Sequence, residues 1–274
     1  MAISINKVSK EIQQKIIADY LSGKSMRQIE KDYNVSRQTT AKFLEKENIK
    51  KEKGNHYRIY HHNESFFEII DTEEKAYWLG FIFADGHITN NENRYGQDQF
   101  GISCAKTDKE ILYKFLKSIQ ATNPVLEYSR KEKGEPLCRV QLTSQKSVND
   151  LIDKGCFKQK SLILKPPKNI PNEFIRHFLR GFFDGDGSIT KSYSKRYNKY
   201  IYGINITSTR EMCEWIYNIF DFGSIIKDLR RTNTYYFSFG GRKQITQFYH
   251  FLYDEATIWL DRKYNKFQEF LQIS

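Results

Sequence analysis

Two aspartates stand 101 residues apart in nearly the same setting, Asp85 in WLGFIFADG (78–86) and Asp186 in LRGFFDGDG (179–187). In each motif an apolar run ends on the acidic residue and a glycine follows it. If both runs are helices packed side by side, the two carboxylates meet at the negative ends of two helix dipoles. Such a pair is electrostatically unfavourable without a cation, and each carboxylate raises the pKa of the other. A divalent ion resolves the conflict, because Mg²⁺ takes one or two carboxylates and keeps room for water and phosphate oxygens. The chemistry that follows is metal-dependent phosphodiester hydrolysis, with Mg²⁺ or another divalent cation on Asp85 and Asp186.

The elements that must position this pair are legible around it. Small residues four apart, Gly80 and Ala84 in the first motif and Gly181 and Gly185 in the second, leave a notch on one helix face. Notch against notch would let the backbones approach closely. Gly86 and Gly187 suit a left-handed residue ending each helix. Asp71, Thr72, Glu73 and Glu74 place carboxylates at the start of the first helix, as its dipole prefers.

The self-similarity continues downstream, where GISCAKTDKE (101–110) matches GINITSTREM (203–212) and amphipathic helices follow at 111–119 and 213–220. The predicted fold class is therefore α+β. Two pseudo-symmetric αββαββα repeats with saddle-shaped antiparallel sheets occupy 66–165 and 166–274.

Ahead of them lies a small all-α domain, 1–49. Helical periodicity over 9–22 and 25–33, a turn at Asn34-Val35 and a third helix from Arg37 to Glu47 give the order of a helix-turn-helix. Ser36 can cap the third helix. In that motif its N-terminal end enters the major groove. Arg37, Gln38, Thr39 and Thr40 are then candidates for base edges and phosphates, and Ala41, Phe43 and Leu44 for the small core. Residues 1–62 hold 13 Lys/Arg against 7 Asp/Glu, which fits a DNA reader. A basic linker spans 50–65, with Lys51 and Arg58 able to follow a phosphate backbone.

Charge points the same way, since 44 Lys+Arg against 33 Asp+Glu leave a net +11 on 274 residues. No run reaches the roughly 18 apolar residues of a membrane span, and the start of the chain lacks a signal-peptide pattern. The expected location is cytoplasmic. Cys104, Cys138, Cys156 and Cys213 are scattered without a C-x-x-C pair and read as reduced fillers.

WLGFIFADG and LRGFFDGDG resemble the paired motifs of the LAGLIDADG homing endonucleases in their single-chain, two-motif form, over about residues 66–274. The resemblance implies that the second acidic position of each motif carries metal, which falls on Asp85 and Asp186. The first motif has Phe83 where the second has Asp184, a position that does not bind metal in the family. Basic groups near the cleavage centre are also implied, with Lys158, Lys160 and Lys263 as candidates. The resemblance further implies a monomer that cuts both strands of a long asymmetric DNA site and leaves short 3′ overhangs. DNA-facing candidates on the sheets are Lys106, Arg139, Lys195, Arg196, Lys199, Arg230 and Arg231, with Arg94, Lys131 and Lys243 beside them. The run KSYSKRYNKY (191–200) reads as a basic, aromatic hairpin loop. Two alternatives share the fold: a DNA-binding regulator that does not cleave, and an RNA-splicing helper. No Cys or Ser splice junction frames the chain, so it does not read as part of an intein.

Overall fold

A computed structural model describes residues 8–22, 24–49, 60–89, 98–129 and 135–272. The chain divides into two compact units, Met1–His61 and His62–Ser274. Lys51, Arg58, Arg94 and Lys131 lie outside the described residues.

The first unit holds α1 (Lys10–Leu21), α2 (Met26–Tyr33) and α3 (Arg37–Lys46). A serine starts each helix by accepting a backbone N–H: Ser9 from Ile12, Ser25 from Gln28 and Ser36 from Thr39. Asn34, left-handed at φ 53°, ends α2 and turns the chain so that Val35 enters the core. That core is Ile16, Ile29, Val35 and Phe43. Arg37 and Gln38 are exposed on the first turn of α3, as the sequence predicts. Thr40 is not: it is fully buried, because three residues past Arg37 the helix has turned towards α1 and α2. Ala41 is only half-buried.

The second unit contains the two repeats. The first is α4 (Glu73–Asp85), β1 (Gly86–Thr89), β2 (Gln99–Ala105), α5 (Glu110–Ser118), β3 (Leu126–Tyr128), β4 (Leu137–Thr143) and α6 (Gln145–Asp153). The second is α7 (Ile175–Asp186), β5 (Gly187–Ser194), β6 (Lys199–Ser208), α8 (Arg210–Phe220), β7 (Ser224–Lys227), β8 (Tyr235–Gly240) and α9 (Arg242–Tyr253), and α10 (Asp261–Gln272) follows it. Each repeat forms one antiparallel four-stranded sheet, ordered β1-β2-β4-β3 and β5-β6-β8-β7.

Strand alternation sorts the side chains. In β4, Cys138, Val140 and Leu142 face the core while Arg139, Gln141 and Thr143 face away. In β6, Tyr202, Ile204 and Ile206 point inwards, and Ile201, Gly203, Asn205 and Thr207 outwards. The run 191–200 is mostly strand rather than loop. Tyr193 pairs with Tyr200 across the hairpin, their rings 5.4 Å apart edge to face, so only residues 195–198 form the turn. Lys243 lies on α9, not on a strand.

The apolar core is continuous across both repeats, and α4 and α7 run through its middle. Their contact is backbone on backbone. A Cβ on Gly80 would fall 1.9 Å from the Phe178 carbonyl oxygen, and one on Gly181 would fall 1.9 Å from that of Tyr77. At the next turn a Cβ on Gly185 would meet the Ala84 methyl at 2.2 Å. Gly86 and Gly187 differ from expectation: both are extended, at φ −77° and −81°, rather than left-handed. Glycine is needed there for space, since a Cβ would strike the Ile82 carbonyl oxygen at 2.6 Å in one and the Phe183 ring at 2.2 Å in the other.

Gly80→Ala and Gly181→Ala should each destabilise the fold by about 3 kcal/mol or more, because the clash is with backbone that cannot yield. Ala84→Gly removes no contact of that kind and should cost about 1 kcal/mol, mainly from helix propensity. Urea-induced unfolding of the three variants measures both.

Candidate active centre

Asp85 and Asp186 are the last residues of α4 and α7, and the packing of these helices brings them together. An atom added to Gly185 would already sit 3.4 Å from the Asp85 amide nitrogen. Water reaches both side chains, Asp85 being exposed and Asp186 half-buried. Protein nonetheless surrounds them on most sides, as at the floor of an open recess. Desolvation there raises the Asp85 carboxyl above its usual range. Asp186 is pushed up to about 7, first by desolvation and then by the Asp85 charge. Neither carboxylate accepts a hydrogen bond from, or forms an ion pair with, another described residue.

Two buried lysines stand behind the pair in matching roles. Lys160, in the segment between the repeats, donates from Nζ to the Ala84 carbonyl oxygen at 3.1 Å and to that of Gly86. Lys263, at the start of α10, donates to the carbonyl oxygens of Phe183, Asp184 and Gly185 at 2.6, 2.6 and 3.1 Å. Each ammonium thus caps the negative end of one motif helix. Burial pushes Lys263 down to about 8, against the pull of Asp184, so it still carries charge at neutral pH. Lys158 does not reach the centre; it pairs with Asp98 at 3.1 Å.

The extra acid of the second motif has a different place. Asp184 is 1% exposed and accepts from Tyr77 Oη at 2.8 Å, Tyr253 Oη at 2.9 Å and the Leu260 amide at 2.7 Å. It ties the other motif helix and the segment leading to α10 to its own helix. Desolvation raises its pKa despite Lys263. A second tie had no signal in the sequence. Arg180, fully buried, pairs with Glu73 of α4 at 2.5 Å and donates to the Ile258 and Leu252 carbonyl oxygens at 2.8 Å each. A third was within reach, since Arg262 adjoins Lys263 in LDRKYNKF. It bonds Asp108 at 2.9 Å, and both charges act on Asp85.

The remaining candidates are spread over the sheets and their turns. Lys106 pairs with Glu127 at 2.8 Å, and Arg139 lies exposed over the Tyr128 ring at 5.1 Å. Lys195 and Arg196 occupy the β5–β6 turn and Lys199 begins β6, all exposed. Arg230 and Arg231 surround Asp228 in the β7–β8 turn, at 3.1 and 4.0 Å. In the other unit, Arg37 pairs with Glu30 at 3.0 Å, Gln38 is exposed, and the Thr39 hydroxyl is held by Ser36 at 2.8 Å. The four cysteines are free. Among the described residues no cluster of three or more His, Cys, Asp or Glu could hold a metal unaided, and no helix is long and apolar enough to cross a membrane.

Residues 179–274 match the family model for LAGLIDADG endonucleases. The repeat body has the LAGLIDADG fold. Its likeness to the meganuclease I-SmaMI bound to uncleaveable DNA covers 72% of this chain and 88% of that one, at 16% identity and a TM-score of 0.51. For the LAGLIDADG homing endonuclease I-GzeII in complex with its DNA target, the figures are 72%, 88%, 14% and 0.51. By sequence, 171 residues are 28% identical to the replication factor C small subunit of Methanocaldococcus jannaschii. That alignment takes in 61% of this chain but spans only 8% of the archaeal protein's length. Most of α7, with Asp186, lies within the matched residues, whereas α4, with Asp85, lies before them.

The raised Asp186 carboxyl makes the metal-free fold pH-sensitive. An unfolded Asp releases its proton near 3.8, whereas the folded one holds it to about 7, so the native state binds more protons in between. Its contribution to stability is full below about pH 4 and is lost as pH rises through 7. In EDTA, Asp186→Asn should therefore melt above the parent chain at pH 8, with the gap closing towards pH 4. Equal melting temperatures at pH 8 would refute the raised value.

Proposed function

We propose that this chain is a site-specific endonuclease, hydrolysing phosphodiesters of a long, asymmetric double-stranded DNA site with Mg²⁺ or another divalent ion. The observation that carries this reading is the pair Asp85 and Asp186, drawn together by the helix packing yet with no hydrogen-bond donor or ion-pair partner among the described residues. The family match of the second repeat and the fold shared with DNA-bound meganucleases support it.

The donor set suits such an ion, because two hard carboxylate oxygens leave most of the coordination sphere to water and phosphate. Asp85 and Asp186 would hold it. Once bound, it would neutralise charge on the scissile phosphate and acidify a nearby water. Lys160 and Lys263 fix the ends of the motif helices, so the carboxylates keep their separation while the backbone stays still. Their charges also favour the ionised form of Asp186.

The outward sheet faces carry different polar side chains. The first presents His87, Gln99, Arg139, Gln141 and Thr143, with Gln141 bonded to Gln99 at 2.6 Å and Gln99 to Thr143 at 2.9 Å. The second presents Ser188, Thr190, Asn205 and Ser238. Unequal faces read unequal half-sites, and one chain holding both repeats acts as a monomer. The domain 1–49 would add a helix-turn-helix contact through Arg37 and Gln38, with linker residues Lys51 and Arg58 on phosphates.

With Mg²⁺, the parent chain should cut a randomised duplex library at discrete sites, while Asp85→Asn and Asp186→Asn should lose cutting by 10³-fold or more, in the range of removed catalytic groups (about 10³–10⁶). Specific binding without cutting in any chain would sink the nuclease reading in favour of a regulator. Arg37→Ala combined with Gln38→Ala should weaken binding to the recovered site by about tenfold. Competition titrations give that figure, with circular dichroism to show an unchanged fold.

A further inference from the structure

Strand register fixes which end of the second sheet lies at the cleavage centre. β5 leaves the centre at Gly187, which pairs with Ile206 near the end of β6. Ser208, two residues on, pairs with Tyr235 of β8, and Tyr235 pairs with Lys227 of β7. The β7–β8 turn, residues 228–234, is therefore at the same end as Asp186. The β5–β6 turn lies at the far end.

This turn is built rather than slack. Asp228, 4% exposed, accepts from Tyr236 Oη at 2.5 Å and from the Arg230 amide at 2.9 Å, while its own amide donates to the Thr234 carbonyl oxygen at 2.9 Å. These bonds hold the Asp228 carboxyl far below its ordinary range and set the turn's conformation. What it presents is a leucine. Leu229 is 90% exposed, with the Arg230 and Arg231 side chains 82% and 68% exposed beside it.

Two more aliphatic residues lie alongside. Asn233 of the turn donates to the Leu162 carbonyl oxygen at 2.5 Å, and Leu162 and Ile163 are 47% and 56% exposed. The segment carrying them is anchored at the centre by Lys160, which caps α4. A single exposed leucine is ordinary. Three aliphatic side chains on two tethered loops, placed at the centre end of the sheet with two exposed guanidinium groups next to Leu229, make a patch suited to one occupant. Arginines match phosphates, and an exposed apolar side chain beside them matches the space between two stacked base pairs.

Resting on the endonuclease reading above, we propose that Leu229 is a wedge that enters a groove of bound duplex DNA near the cleavage centre. It unstacks one base step there, and with Leu162 and Ile163 behind it, it bends the helix. Arg230 and Arg231 hold the flanking phosphates. Unstacking a step costs a few kcal/mol, which the extra contact of a bent duplex offsets, and flexible pyrimidine–purine steps are the cheapest to open. The wedge thereby favours such a step at a position where no side chain reads a base.

The test uses the full chain in EDTA with a duplex of about 40 base pairs, selected by the parent protein from a random pool and labelled at both ends for energy transfer. The parent should raise transfer on binding. Leu229→Ala should return transfer to nearly the free-duplex value and weaken binding about tenfold, with an unchanged melting temperature and an unchanged salt slope. Arg230→Ala with Arg231→Ala should instead lower the salt slope by about two. A Leu229→Ala chain that bends the duplex as the parent does overturns the wedge and leaves the endonuclease reading standing. A parent chain that selects no duplex overturns both. If Leu229→Ala changes the sedimentation of the free protein, the patch is a contact between copies and the wedge is wrong.

Discussion

Everything in the repeat body depends on two backbones touching. Gly80 lies against the carbonyl of Phe178 and Gly181 against that of Tyr77, a reciprocal contact in which each motif helix supplies both the notch and the ridge. Because the approach is so close, the helices leave no room for side chains between them and their ends must converge. The acidic pair is therefore a geometric by-product of glycine packing. The same convergence creates an electrostatic problem, with two carboxylates and two negative dipole ends in one small volume. The two buried lysines answer the dipoles. The carboxylates keep no hydrogen-bond or ion-pair partner among the described residues.

The repeat was legible because its signals are local or self-referential. A duplicated nine-residue motif, small residues four apart, and alternating strands announce helices, their shared notch and the order of elements without any knowledge of the fold. The Ser36 cap marked the start of α3 for the same reason, since it acts within its own first turn. The centre was legible in its acids and only partly in its bases. Lys158 and Lys160 are two residues apart in one short segment, and only the path of the chain decides that Lys160 turns inwards to the end of α4.

What stayed hidden was long-range. Glu73 and Arg180 are 107 positions apart, and nothing in the sequence around either names the other. Gly86 and Gly187 were assigned to a helix-ending left-handed turn, the commonest reason for a glycine at that place. The chain instead runs straight from helix into strand, and the glycines are there because the preceding turn of helix occupies the space of a side chain. Thr40 was misplaced outwards because a run of polar residues at a helix start hides the rotation of the helix beneath it.

The polar ties between the repeats also bear on descent. A chain with two similar halves invites the thought that either half could pair with a copy of itself. Here the second could not do so freely. In such a pair Asp184 would face the counterpart of Tyr77, which is Phe178 and has no hydroxyl. Arg180 would face the counterpart of Glu73, which is Phe174. Two guanidinium groups would be enclosed without a carboxylate, at several kcal/mol each, and each Asp184 would lose one of its three donors. The halves have diverged into a lock and a key, and the symmetry that remains in the backbone is no longer present in the side chains that hold it closed.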